Sequence, residues 1–230
     1  MKTVLTLIAT GLVAVACSNN APTSTSGGAK EALGSATPAA PSVAAPPAPS
    51  SKSYDGPFGL KEGLTLDEVR AITSLTAGDA PGLYSTDSVP APHVAFENYV
   101  LGFSDKSGLC TITAIGKDIT AGSYGTEVIT AFDDLEAALK KKYGTDKRYD
   151  FASSVLDEPQ FWMMALSQKD RTLSAIWDKE SKATLPASLS AIGLTARGTD
   201  IRTAYINLRY EFANVGDCEA ETKQQQNKGL

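Results

Sequence analysis

The chain has 230 residues, 42% of them hydrophobic, with 21 Lys and Arg against 26 Asp and Glu, one His and three Cys, for a net charge of -5. That acidic balance lacks the basic excess that phosphate neutralisation needs, so a nucleic-acid partner is excluded. A single histidine, His93, and the absence of any Cys-x-x-Cys pair leave no zinc ligand set, and neither a metal nor a cofactor is expected.

Residues 1–16 read as a signal peptide. Lys2 supplies one positive charge, Val4 to Val15 are uncharged and largely apolar, and the small residues Ala14 and Ala16 lead into Cys17. The stretch is shorter than the roughly 20 apolar residues of a membrane-spanning helix. Ala14-Val15-Ala16-Cys17 resembles the lipobox of bacterial lipoproteins, with Ala14 where Leu is usual. The resemblance implies cleavage before Cys17, acylation of its sulfur with palmitate-type chains and anchoring to a membrane. In a Gram-negative source, Ser18 at the second mature position implies the periplasmic face of the outer membrane. The alternative is an ordinary secreted protein cut elsewhere near Ala16.

Residues 17–53 form the lipidated N-terminus and a tether built almost wholly from Ser, Asn, Thr, Ala, Gly and Pro, including Ala45-Pro46-Pro47-Ala48-Pro49. Such a composition buries too little apolar area to offset its ordering entropy. As a flexible coil it would reach roughly 30–35 Å, and more where proline stiffens it.

With Cys17 assigned to lipid, Cys110 and Cys218 remain, and export would place both in an oxidising compartment. A Cys110–Cys218 disulfide is expected, and the alternative is two buried free thiols.

Residues 54–221 are expected to form one domain, followed by a flexible tail at 222–230. Thr65 and Glu68 make a capping box, with Leu64 and Val69 as the staple, so a first helix should run from Leu66 to about Leu75. The stretches from Val94 to Phe103 and from Leu109 to Ile115 flank a Ser-Asp-Lys-Ser-Gly turn and read as a hairpin. Ile129, Phe132, Leu135, Leu139 and Tyr143 recur at helical spacing and end in three lysines and Gly144, which predicts a second helix. The Phe161 to Leu166 and Thr172 to Trp177 segments read as a second hairpin. Ala204, Ile206, Leu208, Tyr210 and Phe212 alternate with polar residues, as in a strand packed on one face. Hairpins and helices in this order predict an α+β domain: an antiparallel sheet of about five strands with two principal helices packed on one face.

Phe58-Gly59-Leu60-Lys61-x-Gly63-Leu64-Thr65-x-x-Glu68-Val69 resembles the opening of SmpA/OmlA-type assembly lipoproteins and of the β-lactamase inhibitor protein, in which a strand, a glycine turn and a capped helix follow one another. Tyr143-Gly144 and Tyr210-Glu211-Phe212-x-Asn214 are similar to an uncharacterised lipoprotein family. The first resemblance implies protein binding rather than catalysis; the second family has no assigned activity.

His93 has no nucleophile elbow around it, and Asp133, Asp134 and Glu136 suit the N-terminal half of a helix, so no catalytic residue is assigned. Trp162 and Met164 would share one face of a hairpin strand, and with Tyr205, Arg209 and Tyr84 they are the candidate interaction surface. The expected function is a non-enzymatic, membrane-anchored envelope lipoprotein whose domain binds another protein as an assembly factor, inhibitor or immunity protein. The alternatives are a small-ligand or cell-wall-binding module and, third, a hydrolase.

Overall fold

In a computed structural model, residues 53–152 and 157–227 are described, and all of these lie within one compact unit. The signal peptide, Cys17 and nearly all of the tether fall outside the described residues. The chain forms strands β1 (Thr76–Ala77), β2 (Leu83–Thr86), β3 (Phe96–Ser104), β4 (Gly108–Gly116), β5 (Ile119–Thr120), β6 (Lys147–Ala152), β7 (Arg171–Trp177), β8 (Leu189–Gly198) and β9 (Thr203–Phe212). The helices are α1 (Leu66–Arg70), α2 (Thr126–Tyr143), α3 (Trp162–Ser167) and α4 (Val215–Asn227). The strands make one antiparallel sheet in the order β1-β2-β3-β4-β9-β8-β7-β6, with β5 added against β9. The class is α+β as expected, but the sheet has nine strands among the described residues rather than about five.

Period-two alternation gives this sheet a front and a back. On the front, Ile112, Tyr210 and Ile192 stand opposite one another across β4, β9 and β8, as do Ala114, Leu208 and Leu194, and all six are buried. Helix α2 covers this face with Val128, Phe132, Leu139 and Tyr143. Tyr143 meets the ring of Tyr210, and burial pushes the Tyr210 phenol far above its ordinary pKa. The indole N–H of Trp177 donates to the carbonyl of Gly144 at 3.0 Å, tying the end of α2 to β7. Gly144 itself has φ 81, which suits a residue without a Cβ.

Phe58 packs edge-on against Phe96, Tyr99 and Tyr210 on the same face. Residues 57–59 form a 3-10 turn, not the strand that the resemblance of this opening implies. The capping box at Thr65 and Glu68 is present, with Leu64 and Val69 buried. The first helix is nevertheless five residues long, and the chain leaves it well before Leu75.

Three further expectations are corrected. Trp162 and Met164 lie on helix α3, not on a hairpin strand; β7 pairs with β6 and β8 instead. The apolar run there is short, and its buried residues Trp162, Met163, Ala165 and Leu166 follow a helical spacing. Strand β8 was not expected, because its Ala, Gly, Ser and Thr content lacks the aromatic and branched enrichment of a typical strand. The expected flexible tail at 222–230 is helical as far as Asn227.

Helix α4 lies on the back of the sheet. In β3 and β4, Gly102 faces Thr111 while Phe103 faces Leu109, so Cys110 is an extra residue in a bulge. Strict alternation would send Cys110 to the front with Ile112. The bulge turns it to the back, where its sulfur is bonded to Cys218 of α4.

The ring closed by this bond spans a sequence separation of 108 residues. Cys218→Ser should therefore lower the unfolding free energy by up to about 4–5 kcal/mol on the chain-entropy account. Guanidinium titration of the oxidised protein and the variant measures this, and the variant should also show a steeper denaturant dependence as its unfolded chain expands.

Candidate interaction surface

The back of the sheet is where the two faces differ in chemistry. Tyr149, Ser174, Thr195, Asn207 and Ile115 stand opposite one another in a continuous row across β6, β7, β8, β9 and β4. A neighbouring row runs Lys147, Ile176, Gly193, Arg209 and Thr113 over the same five strands. On the other side lie Phe151 beside Thr172 and Arg197 beside Tyr205. None of these residues is buried, whereas their front-facing neighbours in β7, β8, β9 and β4 almost all are. At about 4.8 Å between strands, the face is roughly 19 Å across from β6 to β4.

The face is made of short hydroxyl and amide side chains with aromatic residues at its margin. Tyr149 and Phe151 are 39% and 52% exposed on β6, which pairs only with β7. Near the centre, the Oδ1 of Asn207 is buried without a hydrogen-bond partner. Arg209 donates from Nε to Glu211 at 2.8 Å, which holds its guanidinium along the surface.

Strand β6 reverses the usual pattern. Its aromatic residues face the open side, and Arg148 faces α2, where it lies over the ring of Phe132 and pairs with Asp133 and Glu136. Glu136 is buried and also accepts from Lys140 at 2.8 Å, so α2 and β6 are held together by ions rather than by apolar contact. The nearby carboxylates raise the pKa of both Lys140 and Arg148.

At the β4 end, α4 makes a groove with the sheet. Val215, Cys218 and Thr222 face Leu83, Gly102 and Arg209 around a cavity of about 350 Å³. The helix is fastened to the β3–β4 turn by polar contacts besides the disulfide. Glu221 accepts from the Ser104 hydroxyl at 2.9 Å and from the Asp105 amide at 2.7 Å, and the Ser107 hydroxyl donates to Asp217 at 2.6 Å. The Asn214 amide donates to the carbonyls of Ser107 and Leu109.

Of the five expected surface residues, the back face brings together only Tyr205 and Arg209. Trp162 is 5% exposed, covered by the Arg171 guanidinium 5.7 Å from its ring, and seated against Gly125, where any Cβ would collide with the indole. Met164 is half-buried on α3. Tyr84 stands opposite the front-facing Leu101 and packs edge-on to Phe103. Tyr149, Phe151, Thr195, Arg197 and Asn207 were not foreseen; the alternation of Ile192, Leu194 and Ala196 with Gly193, Thr195 and Arg197 was the available signal.

A second cleft lies on the front, between α2 and the loop at His93. It is about 320 Å³, with Ala131, Leu135 and Ile206 inside and His93, Lys117 and Asp134 on its walls. The Nδ1 of His93 accepts from the Ala95 amide at 3.2 Å, a local loop contact. No group of three or more His, Cys, Asp or Glu among the described residues is placed to hold a metal ion. No protein-family model, no curated protein and no solved structure matches the chain.

The amide and hydroxyl donors at the β3–β4 turn hold the Glu221 carboxyl below its ordinary pKa, the Asp105 amide foremost. A depressed folded-state pKa means that the contact stabilises the fold above the unfolded-state value and loses that contribution as pH falls through the folded-state value. Acidification should therefore loosen α4 from the turn, seen as faster hydrogen exchange at the Asp105 and Lys106 amides, whereas in Glu221→Gln this pH response should be absent.

Proposed function

We propose that the protein is an envelope lipoprotein, anchored through acylated Cys17, whose domain binds another protein across the open back of its sheet. The observation that carries this reading is the back face itself: five strands wide, free of helix cover from β9 to β6 among the described residues, and bordered by Tyr149, Phe151, Tyr205 and Arg209. Tyrosine and arginine are the side chains that protein interfaces favour, since each combines a large contact area with a polar end. The 37 residues between Cys17 and Ser53 supply the reach that lets such a face meet a partner away from the bilayer.

A second reading, a cell-wall glycan ligand, is favoured by the row Tyr149, Ser174, Thr195 and Asn207. There, hydroxyl and amide groups adjoin an exposed ring on a flat surface, as sugar hydroxyls and sugar faces require.

The test is photocross-linking in cells, with probes replacing Tyr149, Arg197 or Tyr205 and a control probe at the exposed Tyr124, which lies ahead of α2. One protein adduct shared by the three back-face probes and missing at Tyr124 is the expected result. No adduct from a folded, oxidised domain would overturn protein docking in favour of the glycan reading, which binding to purified cell wall would then establish. For the anchor, Cys17→Ala should abolish incorporation of labelled palmitate and move the protein from the membrane to the soluble fraction.

A further inference from the structure

At the end of the open face, where the turn after α3 meets β7, β8 and β9, lies a small cleft of about 160 Å³. Three cationic side chains line it, Lys169, Arg171 and Arg197, together with the hydroxyl-bearing Thr172, Thr195 and Tyr205.

Arg171 is the built part of this cleft. Its side chain is 9% exposed, with one Nη donating to Asp150 at 2.6 Å and the other to Asp157 at 2.8 Å, and its guanidinium lies over the Trp162 ring. Those contacts fix the plane of the guanidinium and occupy both Nη groups. Its Nε is buried and has no hydrogen-bond partner. Arg171 thus forms a fixed wall of the cleft, held in place by its two aspartates and the indole.

Asp150 and Asp157 together outweigh the single charge of Arg171, so the positive charge offered to a ligand comes from Lys169 and Arg197. Both are exposed, and neither is in an ion pair among the described residues. Asp170, between Lys169 and Arg171, does not line the cleft. Lys169 has φ 62, an uncommon conformation for a residue with a Cβ, and the turn is held there by its amide donating to Leu166 and by that of Asp170 donating to Ala165.

We propose that this cleft binds a phosphate group. The exposed cations Lys169 and Arg197 and the hydroxyls of Thr172, Thr195 and Tyr205 around one small volume match an anion with several acceptor oxygens in a tetrahedral array better than a planar carboxylate with two. The site does not rest on the protein-docking reading, although Thr172, Thr195, Arg197 and Tyr205 belong to both. Its ligand is free phosphate or the phosphate of a lipid headgroup, and the same group would be recognised in either.

The experiment uses the chain from residue 17 onward carrying Cys17→Ser, so that no acyl chain confounds membrane binding. Titration with inorganic phosphate, followed by amide NMR, should shift the signals of Lys169, Thr172, Thr195, Arg197 and Tyr205 saturably, and less strongly in higher salt. Lys169→Gly removes a cation and suits the positive φ, and Arg197→Gln removes the other at an exposed position. Each should weaken phosphate binding by about tenfold or more, the size of a lost charge-assisted hydrogen bond. Vesicles of phosphatidic acid, compared with phosphatidylcholine, separate the sources: retention on the former alone assigns the headgroup, and NMR shifts without retention assign the free ion. Acetate producing the same shifts with equal affinity, no saturable shift with phosphate, or binding unchanged in both variants would overturn the site.

Discussion

The alternation of side chains across β4, β9 and β8 is the constraint on which the rest of the molecule depends. Successive residues of a strand point to opposite faces, so the apolar rungs Ile112-Tyr210-Ile192 and Ala114-Leu208-Leu194 lie on one side together. Burying a side chain of that size contributes about 1.5–3 kcal/mol, and these rungs attract α2 to the front. The same alternation places Thr113, Arg209 and Gly193 in register on the back, where no comparable apolar area attracts a cover. An uncovered face is thus the counterpart of a well-formed core, produced by the same strands. One slip of register in β9 would exchange the two.

Much of this was legible where one physical signal acted alone. The period of β9, the helical spacing of α2 and the capping box at Thr65 were each read from the sequence and are each present. The Cys110–Cys218 pair followed from counting cysteines and appears in the structure. Reading failed where two signals competed. In α3 a short apolar run fits helix and strand equally, and only its packing beneath Gly125 and Arg171 decides. In β8 the Gly and Ala content carries no strand signal, although its register with both β7 and β9 makes it one of the central strands.

The candidate surface was the least legible part, for a related reason. Strand β6 carries its aromatic residues outward and Arg148 inward, where Arg148 finds Asp133 and Glu136 on α2. A pattern rule that assigns apolar residues to the core reads this strand inside out. Tyr205 and Arg209 were found because β9 obeys the rule. Tyr149 and Phe151 were missed because β6 does not.

The bulge at Cys110 has a bearing on integrity as well as on stability. The covalent ring that it permits runs from β4 to α4 and encloses α2, α3 and every strand from β5 to β9. A protease that cut one peptide bond anywhere within that ring would leave a single molecule, its two fragments joined through sulfur. Only a reductant together with a cut would separate the C-terminal fragment, with most of the open face, from the half of the chain that begins at Met1. While the disulfide is intact, one unpaired residue in a hairpin therefore decides whether damage to the domain is also loss of the domain.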